Sequence, residues 1–99
     1  MTLQRNMAII IKTTGETIEV KPKNGTDFQF DELKDIVGGY IEIICLYNDK
    51  DEIMVMNEEG KFGCKFNSKA TLLAKKYKAI HESDYVCGDV LVCKNNQVK

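Results

Sequence analysis

The chain has 99 residues, 43% of them apolar and 29% charged, with one proline and a formal net charge of −1. That length fits one domain and excludes a second, and the composition is that of an ordered globular unit able to bury about 60–65% of its surface. The near-zero charge argues against general affinity for nucleic acid, which grows with the number of cations brought to the phosphates. The longest apolar runs, Met7 to Ile11 and Ile43 to Leu46, fall far short of the about 20 residues a membrane helix needs.

In chain order, Met7-Ala8-Ile9-Ile10-Ile11-Lys12 is continuous, apolar and β-branched, as expected of a strand covered on both faces. Thr13 to Glu16 turns, and Thr17-Ile18-Glu19-Val20-Lys21 alternates, so the two runs pair as a hairpin. Pro22 ends the second strand, and Asn24-Gly25 leads towards a helix. Leu33, Ile36 and Val37 share a stripe, which predicts a helix from Phe30 to Val37 lying on a sheet. Gln29 falls at its cap with Glu32 three residues on, Phe28 and Leu33 can staple its first turn, and Gly38 suits the left-handed position after its last.

Tyr40 to Leu46 carries apolar residues on both faces, interrupted by Glu42. This predicts a central strand, or one whose second face is covered by another chain. After the polar turn Asn48 to Asp51, Ile53 to Asn57 reads as the antiparallel return. A second helix starts at Asn67-Ser68, with Ala70, Leu73, Ala74, Tyr77 and Ile80 at helical spacing. Tyr85 to Cys93 reads as the last strand, bent at Gly88, and residues 1–6 and 95–99 as flexible ends. The order β-β-α-β-β-α-β defines an α+β domain, a mostly antiparallel sheet of about five strands with two helices against it.

The segments Ile9 to Glu16, Val37-Gly38-Gly39-Tyr40-Ile41-Glu42, Met54 to Lys61, Asn67-x-Lys69-Ala70-Thr71 and Gly88-Asp89-Val90-Leu91-Val92-Cys93, in this order and spacing, resemble a family of small proteins of unknown function carried by phages and other bacterial mobile elements. The resemblance spans Met7 to Cys93. It departs at Gln29, where such proteins more often carry a small hydroxyl cap. It implies a setting in a bacterial host cell and supplies no catalytic residues.

Read for chemistry, the chain points away from catalysis. Gly38-Gly39 follows a helix, whereas phosphate cradles place glycines between a strand and a helix start. Cys64, His81, Cys87 and Cys93 are separated by 17, 6 and 6 residues, which matches no zinc spacing. His81 is the sole histidine, expected at an exposed helix end, and Cys45 and Cys93 are expected as small apolar fillers of strand cores. The absence of a C-x-x-C pair and of a secretory apolar core in Met1 to Asn6 leads to the expectation of reduced thiols in the cytoplasm. The expectation is a non-enzyme with no metal and no cofactor.

Two surfaces remain as binding candidates. Lys61 to Lys78 contains six lysines and no acid. Lys69, Lys75, Lys76 and Lys78 would make the solvent side of the second helix positive, a solvated face at its plainest and a docking patch for an acidic protein or a nucleotide at its most specific. Nucleic acid is disfavoured because arginine and exposed aromatics are scarce. The second candidate is the sheet: two short helices are expected to cover one face only, leaving Tyr40, Met54, Met56 and Phe62 for a partner unless the segment Phe62 to Phe66 folds over them. The reading that follows is an accessory protein of a phage or mobile element that binds a host protein, defence factors included, and forms a homodimer or higher homo-oligomer. The alternatives are a nucleotide-sequestering protein and, more weakly, a nucleic-acid binder.

Overall fold

A computed structural model describes residues 8–98. Its strands are β1 (Ala8–Ile11), β2 (Thr17–Val20), β3 (Ile41–Leu46), β4 (Glu52–Asn57) and β5 (Val90–Lys94), joined in one antiparallel sheet of order β2-β1-β5-β4-β3. Its helices are α1 (Phe30–Val37) and α2 (Ser68–Lys76), so the α+β class and the β-β-α-β-β-α-β order are those the sequence predicts. The last strand completes the sheet: β5 inserts between β1 and β4, joining the two hairpins into one. Of the expected flexible ends, residues 1–6 lie outside the described residues.

The two faces of β5 define the layers. Val90 and Val92 pack with Ile11, Leu46, Met54 and Met56 beneath Ala70 and Ala74 of α2. Leu91 and Cys93 pack with Ala8, Ile53 and Val55 beneath Leu33 and Val37 of α1. One helix therefore covers each face, which corrects the expectation that both lie on one. Met54 and Met56 accordingly belong to the core rather than to a partner-facing surface, with Met54 0% exposed. A strand buried on both faces reads as an unbroken apolar run, and Val90-Leu91-Val92-Cys93 and Ile53-Met54-Val55-Met56 both meet this condition.

The segment Tyr40 to Leu46 does not take the central place. β3 lies at the edge, with Ile44 and Leu46 turned into the core under α2 while Ile43 and Cys45 stay exposed. Cys45 is thus no core filler, whereas Cys93 is. The segment before β5 also differs from the expected long strand: regular pairing begins at Val90, and a single bridge, Phe66 to Cys87, stands in front of it.

Helix ends follow local chemistry. Gln29 makes no side-chain cap bond in α1, and Glu32 supplies the stabilisation instead. Its carboxylate accepts from the N–H of Gln29 at 2.8 Å and of Lys23 at 2.9 Å, and these two bonds hold its pKa below the ordinary 4.5. Gly38, at φ 83°, closes the helix with its N–H donating to Lys34 O at 2.7 Å. α2 ends sooner than its apolar spacing predicts. Lys78 adopts φ 56°, Ala79 N–H donates to Ala74 O at 2.8 Å and Lys78 N–H to Lys75 O at 3.1 Å, a left-handed stop built without glycine. Tyr77 and Ile80 still reach the core, from beyond the helix. Asn95–Gln97, expected as a frayed tail, forms a 3-10 turn; Gln97 is buried and its carbonyl accepts from Phe28 N–H at 2.7 Å.

Candidate functional site

Asn67 is the structural hub from which the candidate site is positioned. Wholly buried, it caps α2 by accepting from Ala70 N–H at 3.0 Å and donates through Nδ2 to Ile11 O at 3.0 Å and Gly88 O at 2.9 Å. Thr71 Oγ1 donates to Asn67 O at 2.7 Å and accepts from Val86 N–H at 2.9 Å, and Asp89 Oδ1 accepts from Thr13 N–H at 3.0 Å. Asn67, Ala70, Thr71, Gly88 and Asp89, all within segments that carry the resemblance, are thus accounted for by architecture. They fasten the segment 86–89 to the start of α2 and the end of β1.

That segment supports a corner of exposed aromatics. Gly60 opens a 3-10 turn (Gly60–Phe62) so close to it that an added Cβ would come within 2.6 Å of Cys87 O. Only glycine allows this approach. The turn then projects Phe62, 89% exposed, and the following residues carry Phe66 against Tyr85, ring centroids 6.2 Å apart. Tyr40, 65% exposed, lines the same shallow depression as Phe62, together with Gly38, Gly39 and Cys64. The segment Phe62 to Phe66 does not fold over the sheet; it presents its rings to solvent, and with Phe30, Tyr40, Tyr47 and Tyr85 also exposed, the expected scarcity of exposed aromatics is corrected.

Two cations frame the rings. Lys61 pairs with Asp84 and lies 4.7 Å from the centroid of Tyr85, and Lys34 lies 4.7 Å from the centroid of Tyr40. The Lys61 ammonium, then the Tyr85 N–H at 2.8 Å, hold the Asp84 carboxyl below its ordinary value, and Asp84 in turn raises Lys61. The corner combines exposed aromatic rings with charged neighbours, a composition compatible with a protein-binding patch.

The lysines singled out by the sequence are dispersed in use. Lys69 Nζ donates to Gly15 O at 2.9 Å, tying α2 to the β1–β2 turn, and Lys76 lies 5.4 Å from the Tyr77 centroid. Lys75 and Lys76 are exposed beside Leu72, whereas Lys78 forms the helix stop. Of the predicted binding residues, Tyr40 and Phe62 join the aromatic corner, whereas Met54 and Met56 are core. Phe66, Tyr85 and Lys61 are site residues that no local pattern marks; the one sequence signal is the glycine–aromatic run Gly60-Lys61-Phe62-Gly63-Cys64-Lys65-Phe66.

Burial pushes the Cys93 thiol up to about 12 and also raises Cys87, so neither is a ready thiolate near neutral pH. His81 is exposed, its Nδ1 2.8 Å from Ser83 Oγ. Among the described residues no group of three or more His, Cys, Asp or Glu side chains could hold a metal, and no helix is long and apolar enough to cross a membrane.

A family model described as "Domain of unknown function (DUF3846)" matches residues 7–98. No curated protein and no solved structure matches the chain.

Proposed function

The chain belongs to the DUF3846 family, and on that premise we propose that it is a non-enzymatic accessory protein of a phage or mobile element that works by binding a host protein in the bacterial cytoplasm. The observation that carries this reading is Phe62, 89% exposed at the tip of a tight turn. Leaving such a ring in water forgoes about 1.5–3 kcal/mol of burial, which a partner's surface can recover. Around it, Tyr40, Phe66 and Tyr85 supply rigid contact area, and Lys61 and Lys34 supply orientation. Lys75, Lys76 and Leu72 form a second, weaker contact.

The nucleotide alternative is less well supported. Drug-sized ligands occupy pockets of about 300 Å³ or more that bury most of their surface; the cavity lined by Glu42, Met56, Lys61 and Tyr85 measures about 120 Å³, and the larger depression beside Tyr40 and Phe62, about 380 Å³, is shallow and is lined by Glu59 and no lysine. Host defence proteins are the first class to screen. The test is quantitative cross-linking and mass spectrometry in host cells, comparing the wild type with Phe62→Ala/Phe66→Ala and with Lys75→Glu/Lys76→Glu. The aromatic double variant should lose the partner at least about tenfold at unchanged thermal stability, and the lysine variant should lose it less. A stoichiometric nucleotide on the freshly purified chain, or full partner recovery with the aromatic variant, overturns the reading.

A further inference from the structure

The two edges of the sheet differ in what they present to solvent. Glu58 N–H donates to Tyr40 O at 2.9 Å, and this pair continues the β3–β4 register. Opposed antiparallel residues alternate between pairs that exchange both hydrogen bonds and pairs that exchange none. Tyr40, Glu42, Ile44 and Leu46 therefore aim their main-chain groups at β4, and Ile41, Ile43 and Cys45 aim theirs outward. Among the described residues nothing bonds to that outward row. Folded proteins blunt such edges with lysines, prolines or bulges, and β3 has none of these. On the far side the Lys12 N–H to Glu16 O bond, 2.9 Å, sets the same alternation, and the outward row of β2 is Thr17 and Glu19, followed by Lys21 and Pro22. That edge is short and charged, and proline closes it.

We infer that β3 pairs antiparallel with β3 of a second copy, about a two-fold axis at Ile43, so that the two sheets become one. A two-fold axis normal to the sheet keeps each face on its own side, so odd residues must meet odd residues and even residues even ones. Centring on Glu42 would set two carboxylates against each other. Centring on Ile44 would ask Tyr47 for a main-chain pair, but Tyr47 N–H is already given to Tyr77 O at 3.2 Å. Centring on Ile43 pairs Ile43 with its own copy and Ile41 with Cys45 in both directions, which gives about six new main-chain hydrogen bonds from the three outward residues. It opposes Glu42 to Ile44, so no like charges meet. Tyr47, strongly exposed, then falls opposite Gly39, where no side chain competes for space.

A second copy is the occupant because the outward row is complementary to itself at this register. Strand pairing alone buries less than a standard interface, so the dimer is a weak one that forms with rising concentration. This goes beyond the partner-binding reading, and its failure would leave Phe62 and its neighbours untouched.

The test is sedimentation velocity from about 10 µM to about 1 mM, with residue-resolved hydrogen exchange on the same samples. The dimer fraction should rise with concentration, and the amides of Ile41, Ile43 and Cys45 should gain protection while those of Thr17 and Glu19 do not. Ile43→Pro removes an N–H that has no partner within the protomer, so it should keep the wild-type circular dichroism and stay monomeric throughout. Should that variant fail to fold, Ile43→Lys places like charges on the axis and should also be monomeric. A wild-type chain monomeric at the highest concentration, a dimer that survives in the folded variant, or protection gained at Thr17 and Glu19 instead overturns the inference.

Discussion

The two sides of the sheet are finished differently. On the β1–β2 side, loops are fastened by long-range side chains: Asn67 to Ile11 O, Asp89 to Thr13 N–H, Lys69 to Gly15 O. The strand beyond them is short and ends at Lys21-Pro22. On the β3 side the main clips act at the ends, Asn57 Nδ2 donating to Val37 O at 3.2 Å and Tyr47 N–H to Tyr77 O, and the six-residue strand between them is exposed along its outward row. The aromatic corner begins where that strand begins, at Tyr40. One side is closed by the chain's own polar groups, and the other leaves apolar rings and main-chain groups exposed. Closed and open edges thus occupy separate regions of one small sheet.

The strongest way to break the closed side is Asn67→Ala. It removes the α2 cap and leaves two carbonyls and one N–H without their bonds, so unfolding free energy should fall by about 3 kcal/mol and the thermal midpoint by more than about 10 °C. A calorimetric or dichroism melt checks it. Ile44→Pro should come next, losing about 2 kcal/mol in a denaturant titration because its N–H serves the β4 ladder. Set beside Ile43→Pro, which should lose little, it sharpens the distinction between the inner and outer rows of β3.

Glu32→Gln gives a control away from both edges. At neutral pH it should cost about 1 kcal/mol, since two N–H groups keep a weaker acceptor. The folded pKa is depressed, so the wild type's advantage is full above the ordinary 4.5 and lost as pH falls through the lowered value. Melts of the two proteins should therefore converge in acid. The smallest effect is chemical. At mildly alkaline pH a thiol reagent should label exposed Cys45 quickly and Cys93 not at all, and labelling of Cys45 should slow at concentrations where β3 pairs.

Much of this molecule is legible residue by residue. The stripe Leu33-Ile36-Val37, with Gly38 after it, identifies α1 and its left-handed stop; Asn67 identifies the start of α2; Thr13 to Glu16 and Asn48 to Asp51 identify the two hairpins. The candidate site is less legible. Phe62 was visible as a surplus ring, but its 89% exposure depends on Gly60 meeting Cys87 and on a turn that points away from the sheet. Tyr85 and Phe66 come together across 19 positions of chain, which no local pattern records.

The sequence by itself determined the elements, their order and the apolar stripe of each helix, because hydrophobic period and cap chemistry act within a few residues. Only the tertiary structure decided which strands are neighbours. Tyr40 to Leu46 and Val90 to Cys93 are both apolar on two faces, yet β5 bonds to strands on both sides and β3 on one. The reason is distance along the chain: β5 closes the sheet by pairing with a strand about 80 residues earlier and another about 40 earlier, so its central place rests on contacts that form only when both hairpins are already packed.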